Sequence, residues 1–100
     1  MVSIMRGEYE ALREDHEALC LQFINAELDL AITFCQMALS AEDYRKAERN
    51  AGNAKRAFAA ASHRLEAPTT GSKSTPEIDE KLQRVGRLLS DLDRLAHPKA

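Results

Sequence analysis

Three histidines, two cysteines and sixteen carboxylates are the groups in this chain that could bind a metal or move a proton. His16 and Cys20 stand four residues apart. On a helix that spacing puts imidazole and thiol on one face, with Glu17 close by. A soft divalent ion accepts such ligands, but two side chains do not complete a tetrahedral site, and no Cys-x-x-Cys supplies the rest. Di-iron bundles use Glu-x-x-His pairs on facing helices. Here Arg13, Ala60 and Arg94 stand three residues before His16, His63 and His97, so that pattern is missing. Nucleophilic chemistry fares no better. The serines fall at helix ends, in a linker or on helix surfaces. No Gly-x-Ser-x-Gly elbow, phosphate-cradling glycine loop or dinucleotide fingerprint occurs. The expectation is a protein that is not an enzyme and carries no metal or cofactor.

Glu27 is the one acidic residue whose position invites a specific role. The run Leu19–Leu39 reads as one helix with a polar stripe of Gln22, Asn25, Asp29, Thr33 and Gln36. At roughly 100° per residue, Glu27 points away from that stripe, among Cys20, Phe23, Ala31 and Phe34. A carboxylate buried there needs a partner. Asn50 and Asn53 of the next helix are candidates, as are Arg84 and Arg87 further on. Two alternatives are a pocket in which Glu27 binds a cationic ligand or acts as an acid or base, and a pair that specifies register or dimer orientation.

The elements that position these residues are all helical. Alanine, leucine, glutamate and arginine abound, tryptophan is absent, and no segment alternates with period two. One hundred residues make a single small domain. Helix 1 is expected over about 8–39, with acidic Glu8, Glu10, Glu14 and Asp15 at its positive end. One apolar stripe on it is Leu12, His16, Leu19, Phe23, Ala26, Leu30, Phe34 and Met37; a second is Leu21, Leu28, Ile32, Cys35 and Leu39. Ser40 reads as the cap of helix 2, about 41–66, with Asp43 three residues on. Helix 2 carries the heptad Tyr44, Ala47, Ala51, Ala54, Phe58, Ala61 and Leu65, a seam rich in alanine that suits close helix approach. Gly52 beside it is either a point of close approach or a tolerated surface glycine. Residues 67–75 form a linker of proline, glycine and hydroxyl residues. Helix 3, about 76–96, starts at a Thr75 cap with Pro76 in its first turn. Its stripe is Ile78, Leu82, Val85, Leu89, Leu92 and Ala96.

Together these predict an all-α protein: a long antiparallel hairpin with a third helix packed on it, a three-helix bundle. The apolar arc of helix 1 is wider than two partners comfortably cover. A homodimer built around helix 1 is therefore expected, with Leu21, Leu28, Ile32 and Leu39 as candidate interface residues and Glu27, Asn50 and Asn53 as a candidate buried polar or ligand group.

Charge is uneven along the chain. Residues 1–40 carry two Lys/Arg against seven Asp/Glu, residues 41–66 six against four, and residues 67–100 six against five. The net charge of −2 disfavours tight polyanion binding by the whole chain. Arg45, Arg49, Arg56 and His63 do line one face of helix 2, and weak nucleic-acid contact is a third reading. Glu42, Asp43 and Glu48 interrupt that face, and it lacks aromatics. Met1–Met5 is too short an apolar run for a secretory leader, and no segment is expected to span a membrane, so a cytoplasmic setting is expected. Cys20 and Cys35, about 22 Å apart on one helix, cannot pair within it.

The segments Leu30-Ala31-Ile32-Thr33-Phe34, Arg49-Asn50-Ala51 and Asn53-Ala54-Lys55-Arg56-Ala57-Phe58 resemble a pattern in small uncharacterised bacterial helical-hairpin proteins. The resemblance covers about a third of the chain and implies a helical hairpin without implying an activity. The alanine seam with Tyr44 and Phe58 is also faintly similar to tetratricopeptide and MIT-type modules. Helices 1 and 2 are too long for a tetratricopeptide unit of ~34 residues, and no second unit follows. On these grounds the expected function is non-catalytic: a protein–protein interaction, scaffold or regulatory module whose partner is itself or another protein.

Overall fold

The computed structural model describes residues 2–66 and 74–96, with side chains described for 10, 12–66 and 74–95. Three helices account for all described residues outside 41–43 and 74–75: α1 (Val2–Ser40), α2 (Tyr44–Glu66) and α3 (Pro76–Ala96). No strand occurs among the described residues. The chain is an all-α three-helix bundle.

Local signals explain the helix ends, with two corrections: α1 begins at Val2 rather than near residue 8, and α2 takes a different cap. Ser40 is the last residue of α1. Its hydroxyl donates to the carbonyls of Gln36 at 3.0 Å and Met37 at 3.4 Å. The cap of α2 is Asp43, whose Oδ1 accepts from the Arg45 amide at 2.9 Å. The Asp43 carboxylate thus does what the sequence assigned to Ser40, and α2 begins at Tyr44 rather than 41. Thr75 caps α3 as expected, its Oγ1 accepting from the Ile78 amide at 3.2 Å. Ser74 adds a 2.6 Å hydroxyl–carboxylate bond to Asp79 across the same turn. The linker expected over 67–75 lies outside the described residues except for Ser74 and Thr75.

The helices run up, down and up. The turn at 41–43 makes α1 and α2 antiparallel. Lys81 meets Asn25 and Asp29 near the lower end of the bundle, while Leu92 packs with Cys35, Ala38 and Ala54 near the upper end, so α3 runs parallel to α1. The bundle is elongated, 69 × 20 × 18 Å. α1, about 58 Å long against about 35 Å for α2, projects past the end of its neighbour by about four turns at its N-terminal end.

The core holds Ile24, Leu28, Ala31 and Ile32 from α1, Ala57 and Ala61 from α2, and Ile78 and Val85 from α3. A second cluster of Cys35, Ala38, Ala54 and Leu92 extends it toward the turn. The small residues of α2 face the interleaved large and small residues of α1, which lets the two axes approach closely. α3 buries Ile78, Val85 and Leu92 at the positions its stripe assigns, with Leu82 and Leu89 half-buried. On α2, Ala54 and Ala61 are buried as expected, Ala57 joins them, and Tyr44 is exposed because it lies beyond the end of the core.

Gly52 does not mark a close approach. A Cβ there would meet only the tip of Arg56, at 3.8 Å, and Gly86 in α3 faces open space.

Candidate functional site

α1 divides into three sectors around its axis. Cys20, Ile24, Leu28, Ala31, Ile32, Cys35 and Ala38 turn inward. Gln22, Asn25, Asp29, Thr33 and Gln36 form the polar sector. The remaining sector is apolar and faces outward: Leu12 is 67 % exposed, Leu19 62 %, Phe23 38 %, Leu30 44 % and Met37 47 %. Ala26 is exposed among them and Phe34 is half-buried at the border. Isolated surface leucines are ordinary; five large apolar side chains on one face over about 37 Å of helix make a contiguous patch.

This placement corrects the candidate interface. Leu28 and Ile32 are buried within their own chain, against α2 and α3, and Leu21 packs half-buried at the edge of the same core. Of the four, Leu39 alone stays substantially exposed. The apolar excess anticipated in helix 1 is real, but it lies on the other stripe.

Glu27 is corrected as well. It sits on the border between the buried sector and the outward apolar sector, and is half-exposed rather than enclosed. No hydrogen bond or ion pair joins it to Asn50, Asn53, Arg84 or Arg87. Arg84 and Arg87 are exposed on α3, and the Asn53 carbonyl accepts instead from Arg56 of its own helix. Three surface depressions lie chiefly on α2 and α3, and Glu27 lines none of them. One of these, a groove of about 400 Å³ near the turn, is lined by residues that include Ala38, Tyr44, Ala51, Leu92 and Leu95.

The polar contact between α1 and α3 centres on Lys81. Its Nζ lies 2.8 Å from Asn25 Oδ1, 2.8 Å from Asp29 Oδ1 and 3.4 Å from Glu77 Oε1. The Lys81 side chain is only 20 % exposed. The Asp29 hydrogen bond raises its pKa above the ordinary lysine value; desolvation pulls the other way and Glu77 adds to the rise. Part of the polar stripe of α1 is therefore a docking site for α3. The signal was present in the sequence as a lone lysine among the acidic residues that open α3, but nothing local aims it at α1.

His16 and Cys20 do meet, Nε2 to Sγ 3.6 Å, with Cys20 buried and His16 exposed. No group of three metal-ligating side chains forms among the described residues. Burial pushes the Cys35 thiol pKa up, so less of it is the reactive thiolate. On α2, Arg45, Arg49, Arg56 and His63 are exposed as expected; Lys55 pairs with Asp93 of α3 at 3.5 Å. Arg64 lies over the Phe23 ring, 4.7 Å from its centroid, and covers part of the outward face of α1.

By length and composition, Leu12–Ser40 is long and apolar enough to cross a membrane, which the sequence reading did not anticipate. The same residues serve as the core helix of the bundle, and Glu27 and Asp29 sit near the middle of that segment.

No family model, curated protein or solved structure matches the chain.

Proposed function

We propose that this protein is a non-catalytic helical interaction module that pairs with a second copy of itself through the outward apolar face of α1. The observation that carries this reading is the contiguous exposure of Leu12, Leu19, Phe23, Leu30 and Met37 on a helix whose opposite side is already packed. A patch of several hundred Å² on each of two copies approaches the area that stable interfaces bury. Water gains freedom when such a patch is covered, and a two-fold pair covers both patches at once. The reading places the protein in the cytoplasm. Asp29 alone would cost about 3 kcal/mol at the centre of a membrane span, and in the bundle its carboxylate is matched by Lys81. Recovery of the protein from cells without detergent tests that setting.

Light scattering over a dilution series tests the pairing. A dimer is expected at micromolar concentrations. Leu19→Asp and Leu30→Asp are expected to give monomers of unchanged helicity, since both residues lie outside the core. A native chain that stays monomeric to high concentration overturns the proposal.

A further inference from the structure

The self-association proposed above leaves open how the two copies are oriented, and the charges that border the apolar face bear on it. Leu12, His16, Leu19, Phe23, Ala26 and Leu30 are separated by four, three, four, three and four residues, and all are exposed. That alternation is the seam of a left-handed two-helix contact. Arg13 and Glu27 each follow a seam residue by one position, two heptads apart, so they border the seam on the same side. Glu27 has no ion pair or hydrogen bond among the described residues. Among the described residues Arg13 has only a 3.9 Å contact with Glu17, with the Arg13 side chain 64 % exposed.

We infer that the second copy lies antiparallel on this seam, with Arg13 of each copy paired to Glu27 of the other. An antiparallel seam sets Leu19 against Phe23, Leu12 against Leu30, and His16 against the small Ala26. Large meets large or fills the space above a methyl group, and each pairing occurs twice about the two-fold axis. The border residues then come into register: Arg13 reaches Glu27 on one side of each helix. On the other side Asp15 approaches Asp29, whose charge Lys81 already matches within its own chain. A parallel seam would stack His16 on His16 and set Glu27 beside Gln22 of the second copy, with no cation facing it across the seam. Antiparallel pairing also lays the projecting N-terminal turns of each α1 along the outward face of its partner, beyond the end of α2. Glu27, half-buried and without an ion pair or hydrogen bond among the described residues, thereby gains a partner.

Charge reversal tests the orientation. Arg13→Glu and Glu27→Arg each affect two symmetric pairs, and each is expected to weaken dimerisation about tenfold or more, with α-helical content unchanged. The double variant R13E/E27R is expected to restore native affinity, because the pair is re-formed with its signs exchanged. Energy transfer between dyes on the two N-termini provides a second measurement. The antiparallel pair holds them about 60 Å apart, against about 10 Å in a parallel one. A native chain that never dimerises overturns the self-association reading and this inference together. A native dimer that ignores both single reversals, or that gives high energy transfer, overturns the orientation and leaves self-association standing.

Discussion

Leu28 and Leu30 are the same residue type, two positions apart on one helix, and the bundle gives them opposite fates. Leu28 is fully buried between Ile24, Ile32 and the alanines of α2; Leu30 is 44 % exposed on the outward face. Leu28→Ala removes three buried carbons and leaves a cavity that rigid helix packing closes only in part, at a cost of about 3–5 kcal/mol. A domain of this size has roughly 5–15 kcal/mol of stability in all. At about 4–8 °C per kcal/mol, its melting temperature should fall by roughly 12–40 °C. Leu30→Ala loses burial on one side only and leaves no closed cavity, so it should cost about 1 kcal/mol or less in the monomer. Thermal and urea melts followed by circular dichroism, run below the concentration of any self-association, measure both. Equal losses, or a larger loss at Leu30, would mean that α1 is rotated in the bundle by about half a turn, and the outward face would no longer be a candidate interface.

Other expectations follow from the helix ends, the glycines and Lys81. Asp43→Ala should cost about 1 kcal/mol in chemical denaturation and Ser40→Ala only a few tenths, because the carboxylate and not the hydroxyl caps α2. Gly86→Ala should raise stability by up to about 1 kcal/mol, since a methyl there meets nothing and glycine in a helix interior loses more backbone freedom; a loss on calorimetry would show a hidden contact. Lys81 has a folded-state pKa raised above the ordinary 10.5, so its contribution is fully present below that pH and is lost as pH climbs through the folded value. Stability measured from neutral pH to above 11 should therefore drop more steeply for the native chain than for Lys81→Met; parallel curves would show that the Asn25–Asp29 contact contributes nothing to the folded state. Phe23→Ala should remove the Arg64 ring contact at a cost of about 1–2 kcal/mol in the monomer, with a larger effect on dimer affinity.

The sequence alone determined the all-helical class, the hairpin, the course of α3 and the cap at Thr75. Each of these depends on neighbours a few positions apart: residue propensity, a Thr-Pro start, a stripe of four-and-three spacing. What only the tertiary structure decided was the rotation of α1. That helix is apolar around more than half of its circumference, so its own pattern could not say which apolar side turns inward. The alanines of α2 made the choice. They accept the face where Cys20, Ala31, Cys35 and Ala38 alternate with Ile24, Leu28 and Ile32, and Lys81 then clamps α3 against Asn25 and Asp29. With that rotation set, Glu27 moved from an apparent core position to the rim of an exposed patch, and Leu28 and Ile32 moved from candidate interface to core. A helix that is apolar on two sides has two plausible insides, and the shape of its neighbours selects between them.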